Sequence, residues 1–487
     1  MRRSLLAVVL AGLLSSALLA AGCAGPKAPA GSVPESASVA PADAAAWVSL
    51  TTDEGSEQWM KADRLLSLFP GARSQLLDAI RAGLQEEGLE WSRDVAPALG
   101  PEVAIVATPD GQPIVLTKPD DADKLVALTK TMDGETISGE IDGWTALAQR
   151  QEDLDAYRAA LDRGALSAET SFTDALDGMP AEALARAWVN GRTLKDMIPG
   201  LLGATGGYSP DGSGASPQEN PFDLGLDSLA MAIAVEDDGV QLALSATTTK
   251  ATDGTRFEPK LVGKVPADAV AALSFGGSQS TFDKIRGPLE SVSGALEVAG
   301  ISLESLFDAL SGEGVLYVRH GSGTVPEVTL ALAPPDAAKA FDAIDKAIRK
   351  LAADEQTAVR TSTENGIEIS SVEADDATVA YARLDDDTVI VTTGSQGIED
   401  FMSSAGEKLP ATAGYTQAAE RVGLGELTKG FLYVDLDGLI PLVDELGGAD
   451  ALPEDARDVL EQLDSFIMQS DGDGNTTRLS GFLRVNG

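Results

Sequence analysis

A single thiol, Cys23, and a single imidazole, His320, bound the chemistry open to this 487-residue chain. One cysteine forms no intrachain disulfide, so the fold must rest on its apolar cores. A Cys/His zinc centre needs more such ligands than the chain contains. His320 is the sole candidate base for a Ser–His pair, but it stands beside Gly321 between short strand-like runs with no marked nucleophile nearby. Gly276-Gly-Ser-Gln-Ser280 lacks the closing glycine of a nucleophile elbow, and no Ser-x-x-Lys occurs. Glycine loops of the phosphate-binding kinds are also missing. Carboxylates remain. Asp471-Gly-Asp-Gly-Asn475 begins like a calcium loop, yet Thr476 stands where the glycine belongs and Phe482 where the bidentate glutamate belongs. It reads better as a hairpin turn, and Asp375-Asp376 and Asp385–Asp387 read as solvated turns. A glycosidase pair is defined by a separation in space that spacing in sequence does not supply. No catalytic, cofactor-binding or metal residue is assigned, and the expectation is a protein without enzymatic activity and without cofactors.

Cys23 has another use. Arg2 and Arg3 precede an apolar run, Leu5 to Leu19, of signal-peptide length and too short to span a membrane durably. The run ends Leu18-Leu-Ala-Ala-Gly-Cys23, which resembles the lipobox of bacterial lipoproteins. There, small residues let the peptidase close around the backbone, and the thiol carries the diacylglycerol thioether. One departure stands out: Ala20 occupies the place where the family usually has leucine, which here falls one position earlier. The resemblance implies that residues 1–22 are a cleaved signal peptide and that Cys23 becomes a lipidated N-terminus bearing several acyl chains, palmitate among them. Several chains anchor durably where one binds reversibly. The protein is then expected at the cell membrane, on its extracytoplasmic face. Ala24 replaces the aspartate that retains some lipoproteins at an inner membrane. Residues 24–40 are small and proline-rich, so 23–40 is expected to be the lipidated cysteine and a flexible tether reaching roughly 55 Å at about 3.3 Å per residue.

Charge narrows the partners. Lys and Arg number 36 against 76 Asp and Glu, a formal net charge of −40. Such a field repels phosphate backbones and anionic headgroups, so nucleic acid is excluded and the body should stand off the bilayer. Solubility alone also explains it.

The elements that would position any site come in two sets. Pro41-Ala-Asp-Ala-Ala-Ala-Trp-Val-Ser-Leu50 aligns with Pro266-Ala-Asp-Ala-Val-Ala-Ala-Leu-Ser-Phe275. Gln58 to Ala62 matches Thr281 to Ile285, Pro97 to Ile105 matches Asp308 to Leu316, and Ala187-Trp-Val-Asn190 matches Leu432-Tyr-Val-Asp435. Leu-Asp-Ser then recurs at Leu226 to Ser228 and Leu463 to Ser465. Five matches in one order mean an internal duplication. The expected plan is a first copy over 41–250, a linker over 251–264 and a second copy over 265–487, with a loop at 203–221 and an extra strand-rich stretch near 358–383.

Within the copies, Phe341, Ile344, Ile348 and Leu351 fall at helical spacing, as do Leu76, Ile80 and Leu84. Val103–Ala107, Ile114–Thr117, Val328–Leu332, Ile367–Val372 and Thr388–Thr393 read as strands, and Ser228–Thr247 as a hairpin turning at Asp238-Gly239. The fold class expected is α+β: two tandem homologous units, each a mainly antiparallel sheet with helices packed on one face. All five tryptophans lie in the first copy, at 47, 59, 91, 144 and 188. They either line a pocket for a sugar or lipid or fill a core, and core packing is the commoner fate.

From Val265-Pro-Ala-Asp268 and Ala40-Pro-Ala-Asp43 onward, the ensemble is similar to a family of repeated extracytoplasmic domains in lipoproteins of high-GC bacteria. The resemblance implies architecture and location and brings no activity. The leading expectation is a lipid-anchored envelope protein that binds or scaffolds, its partner an envelope protein or a hydrophobic ligand. The alternatives are a carrier of lipid or another hydrophobic ligand, and a carboxylate- or metal-dependent hydrolase.

Overall fold

Runs rich in Val, Ile, Leu and Ala extend as antiparallel strands in the computed structural model of the chain. The structure describes residues 33–69, 71, 84, 88–109, 112–131, 136–193, 225–249, 256–277, 308–321, 325–373, 378–394, 396–447 and 452–486. Cys23, the leader, the first part of the expected tether, the 203–221 loop, Leu76, Ile80, Asp375-Asp376 and the Thr281 to Ile285 match all lie outside them. The chain divides into two compact units, the first running to Thr252 and the second beginning at Asp253. Residues 472–481 belong to the first unit and 482–486 to the second.

In the first unit the strands are β1 (Ala46–Thr51), β2 (Glu102–Ala107), β3 (Pro113–Thr117), β4 (Ile137–Ile141), β5 (Trp144–Ala148), β6 (Ala185–Asn190), β7 (Leu226–Glu236) and β8 (Gly239–Thr248). Their pairing gives the order β4-β5-β3-β2-β1-β6-β7-β8, antiparallel throughout. Asp142 and Gly143 turn β4 into β5 with φ of 46° and 80°, the left-handed pair that matches strand twist in a two-residue hairpin. The β7–β8 loop is Asp237-Asp238, since Glu236 pairs with Gly239. Neither aspartate nor Gly239 is among the positive-φ residues, so the expected Asp238-Gly239 turn is displaced by one residue.

Both faces of this sheet are apolar where β2, β3 and β5 lie. On one face Trp47, Val106, Ile114, Leu116, Ala146 and Trp188 pack against Leu154 and Tyr157 of the helix Gln151–Leu161 and Phe172 of Thr170–Leu176. Phe172 sits edge-on between Trp47 and Trp188, with ring centroids 5.4 and 5.6 Å away. On the other face Val103, Val115 and Leu147 pack against Ala98 of Ala96–Leu99 and Leu125 and Leu128 of Ala122–Thr131. Helices therefore cover two faces, which corrects the one-face expectation: consecutive residues such as Val115 and Leu116 are both apolar, and each needs its own cover.

The second unit contains β9 (Ala269–Gly277), β10 (Gly312–Arg319), β11 (Glu327–Ala333), β12 (Val359–Glu364), β13 (Ile367–Glu373), β14 (Thr378–Arg383), β15 (Val389–Thr392), β16 (Gly430–Asp435) and β17 (Leu463–Asp471), and β18 (Thr476–Val485) follows. The order is β12-β13-β14-β15-β11-β10-β9-β16-β17. The β12–β13 hairpin turns at Asn365-Gly366, with φ of 51° and 83°. Tyr317, Ile390, Phe431, Tyr433 and Ile467 share a core with Phe401 of Gly397–Met402 and Tyr415 of Ala413–Val422. The long helix Ala337–Asp354 starts where Asp336 accepts a hydrogen bond from the Lys339 N–H at 2.9 Å, and it packs Ala337, Ala340, Phe341 and Ile344 over Val389. Leu351, expected on its buried face, is instead exposed.

Two segments read as connectors are folded. Glu35–Ser38 forms a 3-10 turn, and Ala37, Val39 and Ala40 are buried in the first unit's core. The tether expected over 23–40 is therefore corrected: its last part belongs to the globule. Likewise Phe257 bridges to Thr428, and Leu261 and Val262 are buried, so residues 257–264 are not linker. Composition misled in both places, because small residues bury well when distant side chains supply the cover.

Candidate functional site

The second unit holds a half-open cleft of about 200 Å³ lined by Ala267, Ala269, Leu409, Thr412, Gly414, Tyr433, Asp435 and Asp464. Its rim is fixed by backbone bonds: Ala267 N–H donates to Glu407 O at 3.2 Å and Leu409 N–H to Val265 O at 2.9 Å. Thr412 starts the helix Ala413–Val422 by accepting from the Tyr415 N–H at 3.4 Å and donating to Leu409 O at 2.9 Å, so its hydroxyl is committed. Asp435 closes β16 and caps Leu436–Gly447, accepting from the Gly438 N–H at 3.1 Å. A Cβ at Gly438 would lie 2.8 Å from Asp435 Oδ2, so the glycine makes room for the carboxylate. Asp464 is held by Arg484 at 3.2 Å.

Burial pushes the Asp435 carboxyl above the usual carboxylate range, and the neighbouring charges of Asp437 and Asp464 push the same way against the Gly438 N–H. The Tyr433 phenol is raised for the same reasons, burial first and then Asp435 and Asp464. Among the described residues its hydroxyl has no hydrogen-bond partner, and a Cβ at Gly414 would lie 3.0 Å from it. What the cleft offers is hydrogen-bond acceptors around a small space.

A second polar group is built into the β10–β11 hairpin. Arg319 pairs across the strands with Glu327 at 2.5 Å, both buried, and its other nitrogens reach Asp400 and, at 3.6 Å, Asp268. Burial alone would lower the Arg319 pKa, but Glu327 and Asp400 raise it. Gly394 and Gly397 crowd Glu327 so closely that a Cβ would meet its carboxylate at 2.0 and 2.9 Å. The group is saturated with internal partners and reads as a lock on the hairpin's register.

His320 hydrogen-bonds Glu445 at 3.1 Å, with no hydroxyl of the described residues bonded to its ring. Asp471 pairs with Arg256 at 2.7 Å, and the Asp473 carbonyl accepts from the Thr476 N–H at 3.1 Å, as in a hairpin turn. Among the described residues no group of three or more His, Cys, Asp or Glu could hold a metal, and no helix is long and apolar enough to cross a membrane. Trp47, Trp144 and Trp188 are fully buried residues of the first unit's core. Sequence reasoning singled out neither Tyr433 nor Asp435 for chemistry, although both stand in Leu432-Tyr-Val-Asp435, the run matched with Ala187-Trp-Val-Asn190, as Asp464 stands in Leu463-Asp-Ser465.

Comparison with known proteins adds little. No family model matches the chain, and no curated protein matches it. Among solved structures, crystal form IV of TP0453 aligns at 12% identity over 45% of this chain and 79% of its own, with a TM-score of 0.26. Form III aligns at 10% identity over 46% of this chain and 93% of its own, with a TM-score of 0.25. Likenesses this weak assign neither a fold nor a function.

Proposed function

We propose that this chain is a lipid-anchored protein of the extracytoplasmic face of a bacterial membrane, with a non-catalytic binding or scaffolding role. The observation that carries the reading is the run Leu18-Leu-Ala-Ala-Gly-Cys23 behind a basic and apolar leader. Supporting it, two of the groups best equipped for chemistry are engaged structurally: His320 with Glu445, and Arg319 with Glu327 and Asp400.

The body, in this reading, is one α+β fold present twice. Strand order supports it. With the hairpin β12–β13 set aside as an insertion, β14-β15-β11-β10-β9-β16-β17 follows the chain connectivity of β4-β5-β3-β2-β1-β6-β7 strand for strand. Register supports it too. Trp47 pairs with Trp188 and Val106, and at the aligned positions Ala272 pairs with Tyr433 and Tyr317. Even the isolated bridges recur, Pro41 with Ala165 and Pro266 with Lys408.

Fractionation of cells carrying Cys23→Ser tests the anchor. The variant should leave the membrane fraction and lose metabolic labelling by an alkyne fatty acid; unchanged fractionation with no label on the wild type overturns the assignment.

A further inference from the structure

We propose that the cleft of the second unit is a binding site for a small organic cation with a primary ammonium group; this rests on the non-catalytic binding role and gives it a ligand class. Tyr433 is only 4% exposed and lines the cleft, and its hydroxyl has no hydrogen-bond partner among the described residues. A phenol oxygen accepts as well as donates, so it can take a hydrogen bond from a donor that enters the cleft. Asp435 lines the same space, half-buried, bonded to the Gly438 N–H and with no cationic partner among the described residues. Asp464 lines it as well, its charge offset by Arg484. Two carboxylates and one guanidinium leave one uncompensated negative charge, which suits one positive charge.

An ammonium brings three N–H donors and no acceptor. The cleft presents acceptors at Asp435, Asp464 and Tyr433, while the hydroxyl of Thr412 is already used. A calcium ion takes six to eight oxygens, more than these groups supply, and about 200 Å³ admits only a few heavy atoms. An acyl chain does not fit that volume or that lining.

The aligned positions of the first unit sharpen the point. There Trp188 stands for Tyr433, Asn190 for Asp435 and Ser171 for Gly414. Charge, hydroxyl and space are each particular to the second unit, and Gly414 keeps the space, because a Cβ there would approach the Tyr433 hydroxyl to 3.0 Å.

Calorimetric titration of the purified full-length protein with ethylamine and 1,4-diaminobutane tests the site, with tetramethylammonium, sodium and calcium as comparison ions. Saturable binding of the primary amines is expected, at least tenfold tighter than tetramethylammonium, which has no N–H to donate. Asp435→Asn should weaken it at least tenfold. Gly414→Ala should weaken it at least tenfold by crowding the Tyr433 hydroxyl, while keeping the wild-type circular dichroism spectrum, since alanine suits a helix better than glycine. No amine binding, binding untouched by both variants, or preference for calcium overturns the proposal. In-cell crosslinking of the wild type and Gly414→Ala separates the two readings: captured partners without amine binding remove the cleft's ligand and leave the binding role standing.

Discussion

Asp435 illustrates how a single side chain can cost stability and still be placed with care. Its carboxyl is half-buried and faces other acids, and its pKa in the fold lies above the unfolded value. A carboxyl shifted this way destabilises the folded state when ionised, in full above both pKa values and not at all below the unfolded one. Asp435→Asn keeps a good helix cap and removes the charge. It should therefore raise the melting temperature at pH 7, and the gain should fade as pH drops through the carboxylate range. A pH series of thermal melts checks this; a variant less stable than wild type at neutral pH contradicts it. Tyr433 and Asp435 were hidden in the sequence because each looks like an ordinary strand residue. Only Gly414, far away in the chain, turns them into the wall of a cavity.

At the scale of elements, the central strands exchange bulk between the units. Under the proposed duplication Trp47, Val106 and Trp188 correspond to Ala272, Tyr317 and Tyr433, so a smaller residue on one strand is offset by a larger one on its neighbour. Cores tolerate substitution when total volume is kept. Trp47→Ala breaks that balance, removing the ring against which Phe172 stands edge-on. It should cost about 3–5 kcal/mol, read from the denaturation midpoint, with no shortening of the slope. The strands themselves were legible from alternation and β-branched content, and the Asp142-Gly143 and Asn365-Gly366 turns carry a signal plain in the sequence. Helix placement was not legible. Whether a helix lies over Leu116 or over Val115 depends on residues that meet only in the folded sheet, so a second covered face went unseen.

For the whole molecule, the dominating quantity is the net charge of −40. Self-repulsion of that size weakens the compact state, and salt screens it over about 10 Å at 0.1 M. Raising sodium chloride from 10 to 300 mM should lift the melting temperature by several degrees; a fall or no change would show that local ion pairs outweigh the net field. The proposed duplication rests on five short motifs that keep their order. The unit boundaries were not, because polar, small-residue stretches on either side of them join the cores.

The folded start of the first unit changes what a pull from the membrane would meet. Cys23 and Val33 are ten residues apart, so any leash between them spans at most about 36 Å. Beyond it the Tyr157 hydroxyl holds Val39 O at 2.7 Å, the Leu166 N–H holds Ala40 O at 2.7 Å, and the Ala42 N–H holds Gly164 O at 2.9 Å. With the proposed lipid on Cys23, load arriving along the backbone would be shared by these clasps before it reached β1, and the central strand would be shielded from being peeled out of its sheet.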